Sequence, residues 1–239
     1  MIDPILLATV RVSTFDGERP LTAGSGFFFE RGDRIFLITS RHVLVDAATG
    51  HYPNRITITL HVDAVDLTRT ETFSVWLYKE GASHWRQAQD SGGAVDVAAI
   101  ELDAASLPAA RVLHAFNEGD LQDAGTEVPL GTTLLVVGFP LGFFDTLHHL
   151  AVARHAVVAS AFGVRFQGQG YFLTDARMHR GSSGAPVILR CLGQHAAASS
   201  KLLGIHSARL DMLSREDGVD EQLGLNCAWY ADILRTLTR

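Results

Sequence analysis

Cysteine is scarce. Only Cys191 and Cys227 occur in 239 residues, far apart and in no CxxC pairing. That excludes a disulfide-dense secreted scaffold and a thiolate zinc cluster, and it suits a reducing compartment, so a cytoplasmic location is expected. Lysine is nearly absent too, with Lys79 and Lys201 the only two, and the net charge is −6. No nucleic acid and no anionic membrane is therefore expected as a partner. No apolar run reaches the ~18 residues of a membrane span. The opening MIDPILLATVRVSTFDG has no basic leader and alternates like a strand, so it does not read as a signal peptide. There is no HExxH and no EF-hand loop, and His148 and His149 are adjacent, which turns them to opposite faces of a strand. No metal and no other cofactor is expected. The Gly24–Ser25–Gly26 run precedes no helix signature, which argues against a phosphate cradle.

What is present is an ordinary globular composition, 47% hydrophobic and 19% charged, in a chain long enough for a substantial core. Short apolar or alternating runs separated by turn residues predict strands over 5–14, 25–30, 34–40, 55–62, 71–78 and 95–102. Residues 103–125 are rich in Ala, Asp and Gly and read as a crossing between two halves. Strands are predicted again over 132–139, 150–160, 170–176, 185–191 and 201–208. The final stretch GLNCAWYADILRTLTR ends in helical periodicity through Ile233, Leu234 and Leu237. GQHAAASSK and LSREDGVDEQ read as polar loops. The layout predicts an all-β protein, with an N-terminal β-barrel over 1–110 and a C-terminal β-barrel plus terminal helix over 111–239, since closure removes sheet edges. The Phe27–Phe29 run belongs in a core.

The stretch RMHRGSSGAPV, Arg177 to Val187, places two serines between glycines at the entry to an apolar run. Alone, that is common turn chemistry. A serine becomes a nucleophile only with a base to take its proton and an acid to orient the base. His42 directly follows the apolar run IFLITS, at a strand end where rigid backbone pins a side chain. Asp96 sits at the start of the apolar run VDVAAIEL, where a lone carboxylate is costly unless paired.

Together, GSGFFF, FLITSRHVL, DVAAIEL, VVGFPLG, TDARMHRGSSGAPV and LLGIHSA resemble the chymotrypsin-like (trypsin-fold) serine peptidases. The bacterial HtrA-type and glutamyl-endopeptidase branches are nearest in flavour, and the resemblance runs over residues 20–238 in the order His, Asp, Ser. It implies two six-stranded antiparallel barrels with a short C-terminal helix, and an endopeptidase acting on protein or peptide substrates. The family pattern Gly-x-Ser-Gly-x-Pro fits Ser183, with Gly181, Gly184 and Pro186 in place. By position the resemblance makes His42 the base, Asp96 its orienting acid, Ser183 the nucleophile, and the N–H groups of Gly181 and Ser183 the oxyanion hole. It also implies that LLGIHSA lies along the substrate, with His206, Ser207, Met178 and Thr174 as substrate-binding residues.

Two departures matter. Ser182 stands where secreted digestive members carry an aspartate that pairs with a freed N-terminal ammonium, so activation by N-terminal clipping is not expected. The oxyanion hole is then either preformed or set by substrate or by an activating partner protein or domain. Met178 stands where glutamyl and 3C-like peptidases have a hydroxyl residue, which leaves a Glu/Gln preference through His206 and a small apolar preference both open. Arg209 is read as a surface arginine, and His179 as a solvated loop histidine.

Overall fold

The chain opens on a turn of helix, not on the strand its alternation suggests. In the computed structural model, which describes residues 2–123, 125–191, 199–213 and 220–239, α1 (Pro4–Ala8) is capped by the Asp3 side chain, which accepts the Ile5 N–H. Proline at the first helical position suits such a start, because its missing N–H has no partner there anyway. The strands of the first half follow as β1 (Thr9–Asp16), β2 (Arg19–Arg31), β3 (Arg34–Thr39), β4 (Arg55–His61), β5 (Thr70–Trp76), β6 (Tyr78–Lys79), β7 (Ala82–Ser83), β8 (Arg86–Asp90) and β9 (Gly93–Leu102). The second half has β10 (Thr133–Gly138), β11 (Val152–Val158), β12 (Tyr171–Asp175), β13 (Pro186–Cys191), β14 (Ser199–Leu213) and β15 (Asp220–Tyr230). Two further short helices are α2 (Arg41–Leu44), directly after β3, and α3 (Leu234–Leu237) near the C-terminus.

The second half closes as a six-stranded barrel in the order β10-β11-β12-β15-β14-β13. The first half is a seven-stranded antiparallel sheet, β5-β4-β1-β2-β3-β9-β8, with β6 and β7 as a separate hairpin. The seventh strand, β8, has the sequence RQAQD, polar and without β-branched residues, so it carries no strand signal; it forms by pairing with β9 at the sheet edge. The segment read as helical divides instead: β15 runs to Tyr230 between β12 and β14, and only the residues beyond it turn helical. The two polar loops at 193–201 and 213–222 lie largely outside the described residues. Among the described residues no helix is long and apolar enough to cross a membrane.

Among the described residues, three cores hold this together. Phe28, with Val12, Leu37, Ile58 and Ile100, fills the first sheet's interior, and Phe172, with Val136, Val187, Leu203 and Ala228, fills the barrel. The third lies between them and draws on both halves, including Phe27, Phe29 and Phe36 with Ile188, Leu202, Trp229 and Leu234. β2 is thus buried on both faces, Phe28 pointing one way and Phe27 and Phe29 the other. Each fully buried aromatic of this kind contributes on the order of 2–3 kcal/mol.

Candidate active site

β3 delivers the chain to the seam between the halves, and α2 turns there. β9 pairs antiparallel with β3, Ala98 opposite Thr39, so Asp96 lies just beyond the end of β3 where α2 begins. Asp96 then grips His42 twice: Oδ1 accepts the His42 backbone N–H at 2.8 Å, and Oδ2 lies 2.6 Å from the ring Nδ1. The Ser207 hydroxyl also donates to Asp96 Oδ2. Burial of the imidazole works to lower its pKa, but the hydrogen bond and charge of Asp96, with the charge of Asp46, outweigh it and leave His42 raised above 6.5. Because Nδ1 is committed to the carboxylate, Nε2 is the ring nitrogen left to accept a proton.

The loop from Arg180 to Gly184 needs glycine at two places. Gly181 has φ +89° and Gly184 φ +86°, and a Cβ at Gly184 would fall 2.2 Å from the Ser25 carbonyl oxygen. The two serines between them part company. Ser183 is half-buried, whereas Ser182 is only 1% exposed and its hydroxyl has no partner among the described residues. Ser183 Oγ donates to the Ser207 carbonyl at 2.9 Å, so its bond in this structure does not run to His42. The Arg180 carbonyl accepts the Leu141 N–H at 2.6 Å, and across a trans peptide this turns the Gly181 N–H the other way. Neither the Gly181 nor the Ser183 N–H meets an acceptor among the described residues. Two unspent donors beside a serine are what an oxyanion requires.

β14 runs past this loop: the Gly184 N–H bonds the His206 carbonyl, and the His206 N–H bonds the Ala185 carbonyl. His206 is buried, and burial, followed by the nearby charge of His42, lowers its pKa to about 4, so the ring is neutral at pH 7. Thr174 and Met178 are buried in the same barrel, Met178 among its apolar residues. Ser207, expected only as a substrate contact, bonds both Asp96 and Ser183. The Arg209 and Cys191 side chains lie outside the described residues, while Cys227 is a buried free thiol.

Sequence reasoning missed Ser25. This fully buried β2 residue donates its N–H to the Ser183 carbonyl at 2.8 Å and its hydroxyl to the Gly181 carbonyl at 2.7 Å. Its Oγ in turn accepts the Phe139 N–H, and its carbonyl accepts the Thr39 hydroxyl. One residue of the first half thus holds the Gly181 and Ser183 carbonyls, one on each side of Ser182 in the loop. The only signal was a polar residue between glycines before three phenylalanines. Ser25→Ala is expected to lower kcat by about 10–10² with KM little changed, because a shift of ~1 Å at reacting groups costs that much. Steady-state kinetics on a peptide substrate would show it, and a pure KM effect would remove Ser25 from this role.

These features define a trypsin-like peptidase fold with a His–Asp pair beside a glycine-framed serine. The model of the trypsin-like peptidase domain matches residues 24–194, well over half of the chain, and the chain belongs to that family of serine endopeptidases. Among solved structures it is similar to an HtrA-type protease, an AlgW variant with a tripeptide, at 16% identity and TM-score 0.59, over 98% of this chain and 59% of that one. It is also similar to a serine endoprotease from Yersinia pestis, at 15% identity and TM-score 0.55, over 98% of this chain and 62% of that one. An inactive serine-to-alanine form of a Mycobacterium tuberculosis protein aligns at 17% identity and TM-score 0.51, over the whole of this chain and 93% of the other. The chain spans about three fifths of the length of the first two. No curated protein matches it.

Proposed function

We propose that this chain hydrolyses peptide bonds in protein or peptide substrates through an acyl-enzyme formed on Ser183. The observation that carries the reading is the double hold of Asp96 on His42, which leaves Nε2 free to accept a proton. Ser183 Oγ leaves the Ser207 carbonyl by rotation about χ1, passes its proton to His42 Nε2 and attacks the substrate carbonyl carbon. The Gly181 and Ser183 N–H groups receive the oxyanion. The tetrahedral intermediate collapses as His42 returns the proton to the departing amine, and water repeats the sequence to release the acid.

Fluorophosphonate labelling of the purified protein tests this directly. Wild type is expected to be labelled and Ser183→Ala not, with Ser182→Ala still labelled. A second reading, a silent peptidase fold serving as a binding or regulatory module, draws on one observation, the Ser183 hydroxyl bonded to Ser207 in place of His42. It predicts an unlabelled wild type, whereas an enzyme switched on by a partner or substrate predicts labelling once that molecule is added. A cytoplasmic setting belongs to the proposal, since the buried Cys227 thiol needs no oxidising compartment.

The pH dependence follows from His42. Only the neutral ring accepts the serine proton, and its pKa is raised. The acid limb of kcat/KM is therefore expected to have its midpoint above 6.5, with activity falling as pH drops through it. A pH–rate profile on a neutral substrate checks this, and a midpoint below 6.5 would mean the Asp96 hold does not persist in solution.

A further inference from the structure

A cavity of about 110 Å³, lined by none of His42, Asp96 and Ser183, lies between the first sheet and the loop that follows β10. Strand alternation decides what faces it. On β1, Val10 and Val12 enter the first sheet's interior, and on β4 Ile56, Ile58 and Leu60 do the same. The opposite face of the sheet therefore carries Thr9, Arg11 and Ser13 from β1, with Thr57, Thr59 and His61 from β4. Ser13 pairs with Thr57, which sets the two polar rows side by side. All six residues line the cavity, and Phe139, Phe144 and His149 roof it. His61 ties sheet to roof, its Nε2 donating to the His148 carbonyl at 2.7 Å.

We propose that this cavity is a binding site for a phosphate group, free or on a small ester. Its wall holds an arginine, two histidines and several hydroxyls, and no Asp or Glu lines it. That sorting runs against the composition of the chain, which has 26 acidic residues to 20 Lys and Arg. Arg11 decides the chemistry. Its guanidinium is always charged, yet it makes no ion pair among the described residues. Nε is buried without an acceptor, and the group lies 5.8 Å from the Phe144 ring centroid, which holds it against the roof. A half-buried charge with bare donors is costly until an anion meets it. Asp145, the acid of the roof loop, is spent within its own turn on the Leu147 and His148 N–H groups and His148 Nδ1. Around Arg11, the hydroxyls of Ser13, Thr57 and Thr59 and the His149 ring have no hydrogen-bond partner among the described residues. A carboxylate has two oxygens to offer these donors, whereas a phosphate has at least three and reaches sheet and roof together. The space holds several waters, and so one group of that size. Arg11, Ser13, Thr57, Thr59 and His149 are half-buried, not sealed, so a small ion can enter from solvent.

The test is calorimetric titration of the full chain with inorganic phosphate and with methyl phosphate, ionic strength being held constant with chloride. Saturable binding with Kd at or below about 1 mM is expected, and the tighter ligand identifies the source as free ion or ester. Acetate is expected to bind about tenfold more weakly, having fewer oxygens for the same donors. At tenfold excess over Kd, phosphate should raise Tm by about 3–5 °C, because it binds only the folded state. Arg11→Met keeps the stem beside Phe144 and is expected to weaken Kd about tenfold or more, as loss of a charged partner does. Thr59→Val, nearly the same shape, is expected to weaken Kd about threefold and serves where Arg11→Met does not fold. No saturable heat up to ~10 mM phosphate, acetate bound as tightly, or a Kd unmoved by either folded variant would each overturn the proposal. None of these readouts involves turnover, so the outcome does not depend on Ser183 being the nucleophile.

Discussion

Ser183→Ala is expected to lower kcat by ~10³ or more, and Ser182→Ala by far less. The two serines are neighbours with the same side chain, so the contrast isolates position. Ser183 is half-buried at the seam between the halves, with its hydroxyl on the Ser207 carbonyl and the free Gly181 N–H on the same loop. Ser182 is 1% exposed and bonds nothing through its hydroxyl among the described residues, so it offers no route to substrate. Removing an already unsatisfied buried oxygen leaves no new unpaired partner, which is why Ser182→Ala is expected to fold and turn over nearly as wild type does. Residual turnover in Ser183→Ala comes from binding and the oxyanion donors alone. The measurement is kcat on one peptide with enzyme concentration fixed by absorbance. Loss of kcat in Ser182→Ala with survival in Ser183→Ala would transfer the nucleophile to the other serine.

What the sequence made legible was local. Gly181 and Gly184 stand in the one-residue frame that singles out Ser183, and their positive φ shows why no other residue serves there. His42 after an apolar run and Asp96 inside one were visible because each is a polar residue in an apolar setting. Their 2.6 Å contact spans 54 residues and follows only from β3 pairing with β9.

The rest depends on contacts that leave no periodic mark. Ser25 meets the Arg180–Gly184 loop 156 residues away, through a hydroxyl whose neighbours in sequence say nothing of it. Asn226 sits in GLNCAWY, a stretch whose apolar residues suit strand or helix equally, and its partners come from the β12 side of the barrel. α1 was hidden for a different reason: ILLATVRV alternates well enough for a strand, but Asp3 and Pro4 supply a cap and a fixed φ that start a helix first. β8 and the first half's seven-strand order likewise depend on pairing with β9, not on the residues of β8 itself.

Asp96→Asn should cost ~10³–10⁴ in kcat while leaving the fold nearly intact, and the hydrogen-bond geometry says why. Asp96 Oδ1 accepts the His42 backbone N–H, so in the variant the amide oxygen must keep that place and the NH₂ group must take the place of Oδ2. There it meets His42 Nδ1, and two N–H donors cannot face each other. The ring responds by moving its proton to Nε2, so that Nδ1 accepts. In the proposed mechanism Nε2 takes the Ser183 proton, and it is now filled. The Ser207 hydroxyl, which donates to Oδ2 in the wild type, must turn away as well. Loss of the carboxylate charge also removes a main influence raising the His42 pKa, so the acid limb of whatever activity remains should move to lower pH. The two effects are read separately, kcat at a pH where His42 is neutral and the midpoint from the full profile. A large fall in kcat with an unmoved midpoint would mean that Asp96 positions the ring without setting its charge. A moved midpoint with kcat preserved would mean that the tautomer is held by another group, and Asp96 would lose its place in the mechanism.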